Sequence, residues 1–128
     1  MARGRNGFTF IELLVVVVIL GILASIALPR LSSTRDKAKV AALRTDLRNT
    51  ETAEESYYST NGTYATLPQL QADGLLTLSP GSVMVLTGST AGYDVRVTDS
   101  TIASGANSCS VQVGAGAPMT ADGVIGCP

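Results

Sequence analysis

Phe8–Leu28 reads FTFIELLVVVVILGILASIAL, an apolar run interrupted by a single charge, Glu12. Wound into a helix rising ~1.5 Å per residue, it spans about the 30 Å of a bilayer's hydrocarbon core. Val15–Val18 are β-branched and favour strand in water, but a lone strand in lipid leaves its backbone groups unpaired, so helix is expected. Three readings of the run compete: a cleaved secretory signal, a plain membrane anchor, and a segment that has a use for Glu12. Arg3 and Arg5 give the first a short basic lead, and Ser25-Ile26-Ala27 gives it a small-x-small cleavage site. Glu12 argues for the third, because an acid in an apolar span is costly and neither a signal nor a plain anchor needs one. Arg30, Arg35, Lys37 and Lys39 follow the run and outnumber the leading arginines, which by the positive-inside rule would keep the C-terminal side in the cytoplasm. The cysteine pair and the loop-rich tail point instead to an exported domain, and long segments translocate against their charge.

The chain has 128 residues and a net charge of -1, which averages a basic start, an apolar run, a charged middle and a tail rich in Gly, Ser, Thr, Ala and Val. Beyond Arg48 the only basic residue is Arg96, so no nucleic-acid partner is expected for the C-terminal part, which lacks a cluster able to neutralise a row of phosphates. With no His and only Cys109 and Cys127, neither a zinc site nor a Cys/His dyad can be assembled. Asp73, Asp94, Asp99 and Asp122 are scattered among turn residues and read as solvated loop acids rather than paired carboxylates or a calcium loop. The expectation is a protein that is not an enzyme and carries no cofactor and no metal.

Gly7-Phe8-Thr9-Phe10-Ile11-Glu12-Leu13 resembles the prepilin signature of type IV pilins and of type II secretion pseudopilins, a basic leader ending in Gly with an acid five residues beyond. The resemblance implies that a membrane prepilin peptidase cuts between Gly7 and Phe8 and N-methylates Phe8. It also implies that Glu12 pairs with the amine of a neighbouring subunit, so that only certain axial staggers satisfy its charge. Gly21 and Pro29 fall where many pilins carry them. In assembled relatives the helix loosens between these positions, and Gly21 and Pro29 both weaken a helix here, although Pro29 could instead simply end the membrane span. Phe10 departs from the usual Leu and keeps the position apolar.

From Arg30 to Tyr58 there is no Gly or Pro, and Val40, Leu43, Leu47, Thr50 and Tyr57 recur at helical spacing, which predicts that the helix continues and packs this stripe on a sheet. Glu54 falls inside the stripe and is expected at its edge. Arg44, Arg48, Glu51 and Glu55 read as a solvated face with i,i+3 and i,i+4 pairs, while Arg30, Arg35 and Lys37 are candidates to meet acids of neighbouring subunits. Ser59-Thr60-Asn61-Gly62 ends the rod with turn chemistry; Asn61-Gly62-Thr63 also matches the glycosylation pattern, for which a turn is the simpler account. A short helical turn is expected around Leu67–Leu75. Val83–Thr87, Tyr93–Thr98 and Cys109–Val113 alternate like strands of an antiparallel meander. The scattered aromatics give no sequence basis for a stacked path.

The expected class is therefore α+β, a type IV pilin fold with one long N-terminal helix on a small antiparallel sheet. Its parts are a leader (1–7), a membrane and filament-core half-helix (8–29), an amphipathic half-helix (30–58), a connecting loop (59–82), and a sheet with a C-terminal disulfide loop (83–128). As in many type IV pilins, Cys109 and Cys127 are expected to close that loop, worth ~3 kcal/mol in the chain-entropy account, the alternative being two buried free thiols. The resemblance implies a major pilin: a precursor in the cytoplasmic membrane, then a helical homo-oligomer at the cell surface built by pilus assembly machinery. A type II secretion pseudopilin is the near alternative, and a secreted or membrane-anchored binding module the distant one.

Overall fold

The computed structural model describes residues 7–114 and 122–128, so the leader arginines Arg3 and Arg5 and part of the expected disulfide loop lie outside the described residues. Helix α1 runs Phe10–Asn61, 52 residues, three positions past Tyr58. It ends where Gly62 takes φ 70° and returns its N–H to the Tyr58 carbonyl at 2.8 Å, a left-handed cap that a side chain would strain. By contacts the chain divides into Met1–Thr34 and Arg35–Pro128.

In the first unit every large apolar side chain from Phe8 to Leu31 is exposed. Among the described residues this is the one helix long and apolar enough to cross a membrane, with a window of mean hydropathy 2.9 and none of it buried. Its few polar groups are satisfied within the helix: Ser25 Oγ donates to the Ile22 carbonyl at 2.7 Å, as backbone and hydroxyl groups must be in lipid.

The second unit is a helix-on-sheet layer. α2 (Leu67–Ala72) follows α1, opened by a capping box in which Thr66 N–H and hydroxyl both meet Gln69 Oε1 at 2.8 Å. Three strands follow, β1 (Val83–Gly88), β2 (Gly92–Thr98) and β3 (Ser108–Gly114), in the antiparallel order β1-β2-β3. Leu86 faces Val95 across the first pair, and Val95 faces Val111 across the second. The inner faces, Met84 and Leu86, Tyr93, Val95 and Val97, and Cys109 and Val111, join Leu43, Leu47 and Ala53 of α1 in one core. Each such side chain contributes ~1.5–3 kcal/mol by leaving water. Buried Thr50 is not an orphan in this layer, since its hydroxyl donates back to the Asp46 carbonyl at 2.8 Å.

The expectations for three acids need correction. Glu54 is not at an edge but fully buried, with 0% of its surface exposed. Asp99 is buried, its carboxylate accepting the Thr101 N–H and hydroxyl, and Asp94 lies on β2 rather than in a turn. Arg44 is exposed as expected, and its Nε lies 3.4 Å from Cys127 Sγ. Where sequence offered no basis for aromatic contacts, Tyr58 stacks on Tyr64 with centroids 4.6 Å apart, and Tyr64 meets Tyr93 tilted by 59° at 5.1 Å.

Candidate functional site

The sequence motif sits at the start of α1. Phe10 is the first helical residue, so Thr9 is the N-cap and Glu12 the third helical position, the spacing of a capping box. Glu12 Oε2 accepts the Thr9 N–H at 2.8 Å and the Thr9 hydroxyl at 2.6 Å, and Thr9 Oγ1 faces the Glu12 N–H at 3.4 Å. The carboxylate is thus turned toward the chain's N-terminal side, one residue from the Gly7–Phe8 bond's C-terminal partner. Its second oxygen has no partner in these bonds. The favourable placement of an acid at a helix N-terminus adds to this orientation. Phe8 is 88% exposed. At Gly7 an added Cβ would meet nothing within 4 Å, so folding of this chain does not by itself demand glycine there.

The same holds at Gly21, where a Cβ would also meet nothing within 4 Å although glycine weakens a helix by ~1 kcal/mol relative to alanine. Pro29 lies inside α1, which runs through it without a break. Neither residue has a task in the isolated chain's packing.

α1 is tied to the loops by three acids, of which sequence reasoning left Asp36 and Asp46 unassigned and put Glu54 at an edge. Asp36 Oδ2 accepts the Ser104 N–H at 2.9 Å and its hydroxyl at 2.6 Å. Asp46 accepts the Ser79 N–H at 3.2 Å to each oxygen and the Ser79 hydroxyl at 2.8 Å. Glu54 Oε2 accepts the Ala65 N–H at 2.8 Å, while its Oε1 is buried without a partner. Lys39 adds a cation, its Nζ reaching Thr101 Oγ1 at 2.6 Å. The electrostatics follow the contacts. The Ser104 hydroxyl and N–H hold Asp36 below the usual carboxylate range, the Thr101 hydroxyl and N–H do the same for Asp99, and burial pushes Glu54 up against its Ala65 bond. A usable signal existed: Asp36 and Glu54 lie about five helical turns apart, on the face that carries Leu43, Leu47 and Thr50.

Cys109 and Cys127 are joined as a disulfide, with Cα atoms 4.2 Å apart. The tail is also held by backbone: Ser110 and Gly126 exchange bonds of 2.8 and 2.9 Å, and Gly123 N–H reaches the Gln112 carbonyl at 2.8 Å. The residues singled out from sequence therefore fall into two places, Gly7, Phe8 and Glu12 at the head of α1 and the cysteines at β3, with Gly21 and Pro29 between them along the helix.

An exposed apolar helix led by a carboxylate that caps its own first turn, continuing into a helix-on-sheet unit, is an α+β, pilin-like fold. Residues 2–28 match the Prokaryotic N-terminal methylation motif family. The type II secretion system core protein G of Pseudomonas aeruginosa is 42% identical over 67 residues, 52% of this chain and 47% of that protein. That of Vibrio cholerae is 43% identical over 67 residues, covering 52% and 46%. The type IV major pilin protein PilA of Myxococcus xanthus is 39% identical over 61 residues, covering 48% and 28%. The chain thus matches about half or less of the length of these curated relatives.

Proposed function

We propose that this chain is a structural, non-catalytic subunit of an extracellular type IV pilus. Its precursor is held in the cytoplasmic membrane by the helix after Phe8, cut between Gly7 and Phe8 by a prepilin peptidase, and N-methylated at Phe8. Pilus assembly machinery then packs the apolar halves of many copies into a filament core, where Glu12 meets the amine of a neighbour. The observation that carries this reading is the orientation of Glu12. Its carboxylate is turned by Thr9 toward the place where a new amine would appear, amid apolar side chains that nothing in the single chain covers. Burying that face against copies of itself removes it from lipid or water, and the charge pairing restricts the register. Gly21 and Pro29 then matter in the filament, as the stretch where the helix can yield.

The second reading is a pseudopilin of a type II secretion system, favoured by the similarity to type II secretion system core protein G. Glu12→Ala separates assembly from processing: the variant is expected to be made and cut normally, with filaments lost. Filaments sheared from the cell surface at ordinary expression support the pilus; filaments absent from the surface together with loss of exported enzymes in a deletion strain favour the pseudopilin. Normal assembly of Glu12→Ala would sink both.

A further inference from the structure

We propose that Cys127 is the sulfur through which the C-terminal disulfide is made and exchanged, and that Arg44 activates it. The two sulfurs have unequal surroundings. Cys109 is 1% exposed, on the inner face of β3 opposite Val97, with Val111 beside it in the core. Cys127 is half-buried near the chain's C-terminal end, and the Arg44 guanidinium lies 3.4 Å from its sulfur through Nε. A fixed cation beside a sulfur favours thiolate over thiol, and the thiolate is the nucleophile. Cys109, buried in the core, has no such access to a cation and solvent together.

Contacts beside the cysteines hold the two segments together in addition to the bond between the sulfurs. Ser110 and Gly126, each next to a cysteine, exchange backbone hydrogen bonds, and Asp122 Oδ1 accepts the Gly114 N–H at 2.9 Å. In the reduced chain these contacts keep Cys127 against both Cys109 and Arg44. Oxidation then runs in two displacements with a disulfide RSSR as oxidant. Cys127 loses its proton to water and its thiolate attacks one sulfur of RSSR, forming the mixed disulfide and releasing RS⁻. The Cys109 thiol, losing its proton in turn, attacks Cys127 Sγ and expels the second RS⁻. Two thiols are oxidised, one external disulfide is reduced to two RSH, and no other reactant is needed. In reverse, an external thiolate reaches Cys127, the more accessible sulfur, and expels Cys109 as a thiolate into the core. Both formation and reduction therefore begin at Cys127.

The test uses the full chain in detergent micelles, reduced and desalted. Alkylation rate against pH, with Cys109→Ala and Cys127→Ala isolating each thiol, is expected to show Cys127 reacting at lower pH than Cys109. Arg44→Gln should return Cys127 to the ordinary range, and Arg44→Lys should retain part of the effect. Glutathione disulfide added to reduced wild-type chain at pH 7 should first modify Cys127, mapped by peptide mass. Arg44→Gln should slow that step about threefold, because the loss of thiolate is partly offset by the higher nucleophilicity of the more basic sulfur. Identical profiles for the two thiols, first modification at Cys109, or an Arg44→Gln rate equal to wild type would each overturn the proposal. The mapping on wild-type chain needs no cysteine substitution, so a misfolded variant does not shield it.

Discussion

Replacing Asp46 with Ala should unfold the helix-on-sheet unit more readily than any surface substitution of the same size. Asp46 is 2% exposed and ties α1 to the residue that precedes the turn into β1 by accepting both donors of Ser79, the N–H at 3.2 Å to each oxygen and the hydroxyl at 2.8 Å. A hydrogen bond to a charged group is worth ~1.5–3 kcal/mol, and a donor stranded in the interior costs ~1–3 kcal/mol. The half-buried Ser79 hydroxyl can turn to water once its partner is gone, whereas its N–H is fixed by the backbone. The expected loss is therefore about 2–4 kcal/mol, with a drop in melting temperature of about 10 °C or more. Ser79→Ala should cost ~1 kcal/mol, and the double variant should fall short of the summed costs by ~1 kcal/mol, the coupling of the hydroxyl to the carboxylate. Urea unfolding in non-ionic detergent, followed by near-UV dichroism of Tyr64 and Tyr93, reports this unit while the apolar half of α1 stays helical in the micelle. A loss below ~0.5 kcal/mol for Asp46→Ala with no coupling would refute the view that this acid clasps the loop.

Acid and neutral pH should act on different clasps. Ser104 holds Asp36 low and Thr101 holds Asp99 low, so their stabilisation is present above the ordinary ~3.9 and is lost as pH falls through their lowered folded values. Burial raises Glu54, so its contribution is complete below ~4.3 and is lost as pH rises through its raised folded value. Melting temperature against pH should show both limbs; Asp36→Asn should flatten the acid one and Glu54→Gln the other, and an unaltered curve in either variant contradicts the assignment. Gly114→Ala should destabilise by more than ~2 kcal/mol, read by urea titration, because φ is 98° there and a Cβ would collide with the Ala91 carbonyl. Gln at Arg30, Arg35 and Lys37, all exposed, should leave monomer stability unchanged and reduce filament yield and salt resistance; undiminished filaments would remove these cations from the interface.

Elements with a clean period were legible. Leu43, Leu47 and Thr50 on α1, and Tyr93, Val95 and Val97 on β2, fall on the core side as their spacing required, because burial of one face repeats at 3.6 or 2 residues. The acids were not legible for the same reason. A hydropathy stripe treats Glu54 as polar and sends it to the edge, yet it is buried because Ala65, eleven residues on, brings an N–H to it. The helical face of Asp36 and Glu54 hinted at burial, but the partners of Asp36 and Asp46 lie 68 and 33 residues away, and no local pattern names them. The tyrosine stack is hidden likewise, since Tyr58 and Tyr93 belong to different layers and meet only through Tyr64. At the head of α1 the sequence singled out Glu12, but its capping by Thr9 came only with the structure, and what the acid meets in an assembly depends on a second copy.

The central claim concerns the bond between Gly7 and Phe8. The most direct test is the intact mass and N-terminal sequence of the chain recovered from the cell envelope and from sheared surface material. A chain beginning at Phe8 and carrying one added methyl group is the predicted result. A chain still beginning at Met1, or one beginning at Leu28, would contradict it and leave Glu12 without the role assigned to it.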